Sequence, residues 1–151
     1  KIKFRESFRP FAPSVLLEDA EDFFELSAIT NYGLRMADFS YMLFIAKVKK
    51  DSIPAVPHVD QTARLQTVDR ATTPRSPRLI SEFKKLTGCP VIINTSFNIR
   101  GEPIVCTSED AFNNFIKTDL DYLVLGNYLL DKKEVSKKYP FTPPQISNDA
   151  D

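Results

Sequence analysis

Basic, amide and hydroxyl side chains recur at every second position in three stretches of the chain. They are Lys1, Lys3 and Arg5 in the first stretch, His58, Asp60, Thr62, Arg64 and Gln66 in the second, and Asn94, Ser96, Asn98 and Arg100 in the third. Alternate side chains of a strand share one face, so each stretch predicts a strand with one polar face. Arginine binds phosphate oxygens through paired hydrogen bonds, lysine supplies a point charge, and hydroxyls and amides fix orientation. The three stretches therefore indicate a phosphate-binding site, although antiparallel sheets also present polar faces to water.

The residues that could bind a metal or act as nucleophiles give weaker signals. His58 is the single histidine, so we expect it to orient a substrate or to stabilise the fold, and we predict no metal site. Asp60 either holds a magnesium ion that arrives with nucleotide phosphates or forms a salt bridge with Arg64. Cys89 and Cys106 flank apolar stretches without a neighbouring histidine, which favours buried thiols.

Glycine usage excludes the two familiar phosphate loops. The chain has four glycines and contains neither G-x-x-x-x-G-K-[ST] nor G-x-G-x-x-G. Gly101 is expected to serve a turn between two strands. Any phosphate site must therefore be built from side chains on strands and turns.

Composition limits the function further. The 151 residues include 20 basic and 20 acidic side chains, and this zero net charge argues against a dedicated nucleic-acid or anionic-membrane protein. Two cysteines without a C-x-x-C spacing predict neither disulfides nor zinc, and they fit a cytoplasmic protein. No apolar stretch reaches the roughly 18 to 20 residues of a membrane span. Because the chain opens at Lys1 in an apparent strand, we expect a further domain upstream.

Apolar spacing predicts strands that alternate with helices. Strands are expected at 41–48, 91–93, 103–106 and 122–125, with 103–106 as the return partner of 91–93. Helices are expected over 18–26, over 76–86 with Gly88 after its end, and from Thr107 and Asp110, which form a capping-box pattern. Strands alternating with helices indicate a mixed α/β fold.

Four segments together resemble one known family. They are KFRESFRPFAP at 3–13, PAVPHVD at 54–60, TARLQTV at 62–68 and NTSFNIRGEPIV at 94–105. Their order and sequence resemble the C-terminal domain of the O-carbamoyltransferases, the family of the Nod-factor, cephamycin and tobramycin carbamoyltransferases. The resemblance covers residues 1–132.

The resemblance implies a fold and a domain plan. That domain has a YrdC-like fold of the α/β (α+β) class, with a twisted mixed sheet, flanking helices and a concave basic cleft. Its signature is a K-x-R pair, matched here by Lys3 and Arg5, and a later S-x-N, matched by Ser96 and Asn98. The domain would cover 1–133 and a tail 134–151, and the family's N-terminal domain, of the actin-like ATPase class, would lie outside this chain.

The resemblance also implies a reaction. ATP, accompanied by Mg2+, and carbamoyl phosphate would form carbamoyl adenylate, and the N-terminal domain would transfer the carbamoyl group to a hydroxyl of a small acceptor molecule. The expected catalytic residues are Lys3, Arg64 and Arg100. The expected binding residues are Lys3, Arg5, His58, Asp60, Thr62, Arg64, Asn94, Ser96, Asn98 and Arg100. Neither a membrane nor a nucleic acid is expected as a partner.

One position departs from the family pattern, and two other functions compete. Gln61 stands where the family usually has glycine after the H-V-D motif, so the resemblance does not fix the turn geometry at this position. A YrdC-like module could bind nucleotide or RNA without catalysis. A related enzyme class makes threonylcarbamoyl adenylate from threonine and bicarbonate, but the P-H-V-D and T-S-F-N-x-R-G-E-P motifs point away from it.

Overall fold

The computed structural model describes residues 2–3, 9–26, 36–49, 51–71 and 75–140. The chain divides into two compact units. Residues 7–95 form the first, here called the sheet unit, and residues 1–6 with 96–151 form the second, here called the hairpin unit.

The sheet unit contains two small sheets. Its strands are β1 (Ala12–Leu16), β2 (Phe24–Glu25), β3 (Ala46–Val48), β4 (Thr62–Ala63), β5 (Gln66–Val68) and β6 (Val91–Asn94). One sheet has the order β5-β1-β6, in which β1 runs parallel to β5 and antiparallel to β6. The other has the order β2-β3-β4 and is antiparallel throughout. The β5-β1-β6 sheet is therefore mixed, with one parallel and one antiparallel pair of strands.

Helices and apolar side chains cover these sheets. The helix α1 (Ala20–Phe23) is short, and α2 (Arg75–Thr87) buries Ile80 against Leu16 and Val68. Gly88 follows α2 with a φ of 76°, the left-handed conformation that ends many helices. The helix predicted over 76–86 is thus confirmed. A separate cluster that includes Val15, Phe24, Phe39 and Leu65 forms the main core of this unit.

The hairpin unit combines two helices with a two-stranded sheet. Its elements are α3 (Ser108–Lys117), β7 (Tyr122–Leu125), β8 (Tyr128–Asp131) and α4 (Lys132–Lys138). β7 and β8 form an antiparallel hairpin, and Leu123 packs with Ala111 and Phe115 of α3. The predicted capping box is present, because the Thr107 side chain accepts from the Asp110 N–H and the Asp110 side chain accepts from the Thr107 N–H.

The mixed α/β (α+β) class predicted from the sequence is confirmed, but several strand predictions are wrong. Within 41–48 only Ala46–Val48 forms a strand, because Met36–Tyr41 is a 3-10 helix and Met42 takes a φ of 58° that breaks extended backbone. The partner of β6 is β1, not residues 103–106. Pro103 has no N–H to donate to a strand ladder, and a backbone bond of this segment runs from the Val105 N–H to the Phe97 carbonyl.

The predicted domain boundary at 133 falls within α4, and residues 141–151 of the predicted tail lie outside the described part of the chain. Of the helices that the structure describes, none has the length and apolar character needed to cross a lipid bilayer. The helix predicted over 18–26 is confirmed only for Ala20–Phe23, after which the chain enters β2.

Candidate functional site

The K-x-R and S-x-N elements meet at the side chain of Lys3. Its Nζ donates to the backbone oxygens of Ser96 and Asn98, each at 2.6 Å, and to Asn98 Oδ1 at 2.8 Å. A longer bond of 3.2 Å reaches Ser96 Oγ. We call Lys3, Ser96 and Asn98 the Lys3 cluster. All three belong to the hairpin unit, so the structure brings together one residue of the first motif and both residues of the second.

Asn98 organises the backbone around this cluster. Its Oδ1 accepts from Ser96 Oγ at 2.6 Å, and its Nδ2 donates to the Glu102 carbonyl at 3.0 Å. The Asn98 N–H donates to the Ser96 carbonyl, and the Arg100 N–H donates to the Lys3 carbonyl. Gly101 supports the chain reversal with a φ of 80°. The segment after β6 is therefore a turn.

The strand predicted over 94–100 is consequently wrong, because β6 ends at Asn94. Polar side chains that bond to nearby backbone compete with a strand ladder, and Ser96 and Asn98 do so here. They come together through a turn and a lysine rather than through alternation along a strand. Arg100 is exposed within that turn.

His58, Asp60 and Thr62 form a second turn, in the sheet unit. Asp60 Oδ1 accepts from the Thr62 hydroxyl at 2.6 Å and from the Thr62 N–H at 3.0 Å. The His58 N–H donates to the Thr62 carbonyl, and Gln61 between them has a φ of 62°. The strand predicted over 58–66 is therefore wrong before Thr62, because the Asp60 side chain closes a turn on its own backbone.

Electrostatics in this turn favour an ionised Asp60. Its hydrogen bonds from Thr62 hold the pKa of the carboxyl below its ordinary value, and positive charge on His58 acts in the same direction. His58 Nδ1 lies 3.8 Å from Asp60 Oδ1, and both side chains are exposed. Among the described residues the ion-pair partner of Asp60 is thus His58, and the alternative salt bridge to Arg64 does not form.

Arg64 lies between β4 and β5 with its side chain exposed. Its neighbours in the chain are anchored, because Ala63 is buried in β4 and Leu65 is fully buried in the main core. The backbone is therefore fixed while the guanidinium faces solvent. An exposed guanidinium on a fixed backbone is accessible to a ligand from solution.

Asn94 joins a polar network on the β5-β1-β6 sheet. Its Nδ2 donates to Gln66 Oε1 at 2.7 Å, and Ser14 Oγ donates to the same oxygen at 2.6 Å. Gln66 Nε2 donates to the Ser40 carbonyl at 3.2 Å. Ser14, Gln66 and Asn94 come from the adjacent strands β1, β5 and β6. Sequence reasoning missed Ser14, because the strand register that sets it opposite Gln66 cannot be read from local pattern.

The predicted site residues that the structure describes are divided between the two units. The hairpin unit holds the Lys3 cluster and Arg100, and the sheet unit holds the His58 turn, the Asn94 network and Arg64. Arg5 and Lys1 lie outside the described residues. Within the described ranges, no group of three or more histidine, cysteine, aspartate or glutamate side chains is placed to bind a metal ion.

Comparisons with known proteins assign the chain to a family. The model of the family described as carbamoyltransferase C-terminus matches residues 1–132. Nodulation protein NolO of Bradyrhizobium diazoefficiens is 47% identical over 136 residues, which are 89% of this chain and 24% of the relative. Nodulation protein NolNO of Sinorhizobium fredii is 47% identical over 138 residues, or 89% of this chain and 19% of the relative.

A more distant relative agrees with these two. Nodulation protein U of Rhizobium tropici is 41% identical over 104 residues, which are 67% of this chain and 16% of the relative. The chain therefore spans a quarter or less of the length of these curated relatives. With its family match over residues 1–132, the chain belongs to the carbamoyltransferase C-terminus family.

Proposed function

We propose that this chain is the part of an O-carbamoyltransferase that binds ATP and carbamoyl phosphate and forms carbamoyl adenylate. The observation that carries the proposal is the Lys3 cluster, in which Lys3 Nζ is held by oxygens of Ser96 and Asn98. Family membership supports the carbamoyl chemistry. The acceptor hydroxyl of a small molecule would be carbamoylated in an N-terminal domain of the longer protein.

The Lys3 ammonium is suited to a phosphate oxygen. The Ser96 and Asn98 acceptors of the cluster are neutral oxygens, and they fix the position of the ammonium. A phosphate oxygen would replace the 3.2 Å contact with Ser96 Oγ, the longest of the four. The Ser96 hydroxyl would then donate to the bound ligand in place of Asn98 Oδ1, which keeps its bond from Lys3 Nζ. Charge-assisted bonds of this kind are about twice as strong as neutral ones.

The overall reaction consumes carbamoyl phosphate, water and ATP, and it yields carbamoyl adenylate, phosphate and pyrophosphate. Water takes the phosphoryl group from carbamoyl phosphate, and the resulting carbamate oxygen attacks the α-phosphorus of ATP. The bond between the α-phosphorus and its bridging oxygen breaks, and pyrophosphate leaves. Negative charge accumulates on the phosphate oxygens in this step, so fixed cations stabilise its transition state.

The remaining predicted residues have matching roles in this proposal. Arg64 and Arg100 are exposed cations that would bind the departing pyrophosphate and the α-phosphate, with Arg5 completing the K-x-R pair. His58, Asp60 and Thr62 would contact the nucleotide from their turn, and Asn94 would orient the carbamoyl group. Mg2+ would arrive with ATP. Asp60 Oδ2 would be the oxygen to reach it, because Oδ1 already accepts two bonds from Thr62.

The same proposal includes a cellular setting and excludes two partners. Cys89 is half-buried and Cys106 is exposed, so the predicted burial of both thiols is wrong, but both are free, which fits work in the reducing cytoplasm. Neither a membrane nor a nucleic acid is required for the reaction. Zero net charge fits a protein that binds small anions locally better than one dedicated to RNA, which needs an excess of basic residues.

Calorimetric titration with Mg-ATP and with AMP, followed by a pyrophosphate-release assay, tests the proposal. We expect saturable ATP binding and pyrophosphate release that requires carbamoyl phosphate. Lys3→Met should abolish both, whereas the matched surface variant Lys137→Met should retain both. Activity with threonine and bicarbonate in place of carbamoyl phosphate would indicate threonylcarbamoyl adenylate formation instead.

Two results would contradict the proposal. Saturable ATP binding without pyrophosphate release, in this chain and in the longer protein, would indicate a nucleotide-binding module without catalysis. RNA binding that falls steeply with salt, in the absence of ATP binding, would indicate an RNA-binding module.

A further inference from the structure

The side-chain amide of Asn94 is held in one orientation by its neighbours in the sheet unit. Its Nδ2 donates to Gln66 Oε1 at 2.7 Å and to Met42 Sδ at 3.6 Å. An amide nitrogen carries two hydrogens, so both of them already form hydrogen bonds. Asn94 Oδ1 accepts no hydrogen bond from the part of the chain that the structure describes. A ligand therefore meets Asn94 as an acceptor and not as a donor.

We propose that Asn94 Oδ1 accepts a hydrogen bond from the amino group of carbamoyl phosphate and so selects this substrate over acyl phosphates that carry a methyl group instead. Gln66, Ser14 and Met42 are positioning residues, because they determine which end of the Asn94 amide faces the substrate. The inference rests on the proposed function and deepens it, since it assigns the choice of substrate to one acceptor atom.

The orientation of Gln66 is itself fixed by three hydrogen bonds. Its Oε1 accepts from Ser14 Oγ at 2.6 Å as well as from Asn94, and its Nε2 donates to the Ser40 carbonyl at 3.2 Å. A half-turn of the Gln66 amide would set nitrogen against nitrogen at Asn94 and oxygen against oxygen at Ser40. Ser14 is only 5% exposed, so water competes little for its hydroxyl. A connected network of this kind holds each of its members in one orientation.

The free oxygen of Asn94 is accessible. Ser14, Gln66 and Asn94 lie on one face of the β5-β1-β6 sheet, and α2 packs on the other end of that face. Among the described residues, the buried side-chain nitrogens and oxygens that lack a partner are limited to Asn114 Nδ2 of α3. Asn94 Oδ1 also lacks a partner and is not among them, so it retains accessible surface.

Met42 gives an independent indication of function at this place. Its φ of 58° lies in the left-handed region, which residues with a side chain rarely adopt. Such conformations concentrate at active sites and ligand sites, where the surrounding structure holds them. From this backbone position the Met42 sulfur reaches the Asn94 amide. The strained residue thus contributes to the orientation of the acceptor.

The amino group distinguishes carbamoyl phosphate from acetyl phosphate. The two molecules have nearly the same shape, but an amino group donates hydrogen bonds and a methyl group does not. A methyl group seated against Asn94 Oδ1 would remove water from the oxygen without replacing its hydrogen bond, which costs affinity. Sites built around a polar contact reject analogues that lack the matching group.

The test is a calorimetric titration of the chain with phosphonoacetamide and with acetonylphosphonate. Both probes carry a methylene group in place of the bridging oxygen, so neither transfers its phosphoryl group, and they differ by an amino group against a methyl group. We expect the wild type to bind phosphonoacetamide about tenfold more tightly. Gln66→Leu leaves the Asn94 amide free to turn and should reduce this ratio of affinities to about twofold or less.

The conservative variant Gln66→Glu separates orientation from general stability. It retains an oxygen acceptor for Ser14 and Asn94, so the ratio of affinities should stay at the wild-type value. Its added negative charge should weaken both anionic probes to the same extent. Loss of folded protein also weakens both probes equally, so a merely structural role of Gln66 would not change the ratio.

A second variant keeps the proposal testable if Gln66→Leu fails to fold. Asn94→Leu removes the acceptor itself and should likewise reduce the ratio to about twofold or less. The matched control is Asn113→Leu, which makes the same change at an exposed asparagine of α3 and should keep the wild-type ratio.

Three outcomes would overturn the proposal. One is equal affinity of the wild type for the two probes. Another is a wild-type ratio in both Gln66→Leu and Asn94→Leu. The last is the absence of phosphonoacetamide binding by this chain and by the longer protein while carbamoyl phosphate still supports pyrophosphate release. The expected ratios without any pyrophosphate release would contradict the adenylate-forming reaction instead, so the two failures are distinguishable.

Discussion

Lys3 and Asn98 are 95 positions apart in the chain, yet Lys3 Nζ lies 2.6 Å from the Asn98 carbonyl oxygen and 2.8 Å from Asn98 Oδ1. The Asn98 side chain also donates to the Glu102 carbonyl, so one amide holds both the lysine and the turn that follows. A buried or half-buried amide with this many partners fixes its own orientation. The position of the Lys3 charge is therefore set by the turn.

This relationship predicts the effect of Asn98→Asp. The new carboxylate would face the Lys3 ammonium at ion-pair distance and neutralise its charge, so ATP affinity should fall by about tenfold or more, which is roughly 1.4 kcal/mol. Calorimetry with Mg-ATP measures the loss. Asn127→Asp, in the tight turn between β7 and β8, adds the same charge to the same unit and serves as the control. If Asn98→Asp binds ATP with the affinity of the wild type, Lys3 does not contribute to nucleotide binding.

Arg64→Ala should separate catalysis from stability. The side chain is exposed while its neighbours are buried, so we expect the free energy of unfolding to change by no more than about 0.5 kcal/mol. If Arg64 stabilises the departing pyrophosphate, its loss should slow pyrophosphate release by about 100- to 1,000-fold. Arg70→Ala, at another exposed arginine of the sheet unit, should leave the rate unchanged. Equal rates of pyrophosphate release for the two variants would show that Arg64 does not take part in the reaction.

Gln61→Gly should stabilise the sheet unit. Gln61 has a φ of 62°, a conformation that costs a residue with a side chain about 1 to 2 kcal/mol and costs glycine almost nothing. Greater freedom of glycine in the unfolded chain removes about 0.4 to 1 kcal/mol of that gain. Urea unfolding should therefore show a net gain of up to about 1 kcal/mol. Gln61→Ala keeps the left-handed strain and should show no gain, so equal stabilisation by both variants would exclude this explanation.

The same turn shows why the polar strand predicted over 58–66 did not form before Thr62. Alternation of His58, Asp60 and Thr62 is compatible with a strand face, but it is equally compatible with an Asp60 side chain that bonds to the Thr62 N–H. The second arrangement satisfies the polar groups locally, so no partner strand is needed. Sequence alone does not distinguish the two, because the residue types are the same.

The elements that were predicted correctly depend on signals confined to a few neighbouring residues. The helix α2 ends at Thr87 before Gly88, and α3 begins after Thr107 with Asp110 in its first turn. Caps of this kind are local, so sequence spacing is sufficient. The Lys3 cluster joins residues more than 90 positions apart, and here only the family motifs indicated which residues belong together.

Acid should weaken the start of α3 in a way that depends on Asp110. Bonds from the Thr107 hydroxyl and backbone, and from the Cys106 N–H, hold the pKa of Asp110 below its ordinary value of 3.8. A lowered folded-state pKa stabilises the fold above the unfolded value, and that contribution disappears as pH falls from about 3.8 through the folded value. Urea unfolding across this range should show a smaller loss for Asp110→Asn than for the wild type.

The cap itself has a separate expected cost. Thr107→Ala removes the side-chain acceptor for the Asp110 N–H and should lower the free energy of unfolding by about 1 kcal/mol at neutral pH.

The control for the acid response of Asp110→Asn is Glu109→Gln. This variant changes an adjacent exposed acid that takes no part in the capping box, and it should retain the acid sensitivity of the wild type. If Glu109→Gln instead reproduces the behaviour of Asp110→Asn, general charge and not the cap controls the acid response.

Lys132 should be needed to hold the C-terminal end of α3. Its Nζ donates to the carbonyls of Phe115, Ile116 and Thr118 at 2.5, 2.6 and 2.9 Å, where helix carbonyls lack partners within the helix. Lys132→Met keeps an apolar stem of similar length but leaves these carbonyls without the ammonium, so we expect a loss of about 1 to 2 kcal/mol in the free energy of unfolding. Lys133→Met, at the exposed next position, should cost less than about 0.5 kcal/mol. Because α3 also carries Asn114, Lys132→Met should broaden the NMR signals of that side chain, and unchanged signals would show that the helix end is held by packing alone.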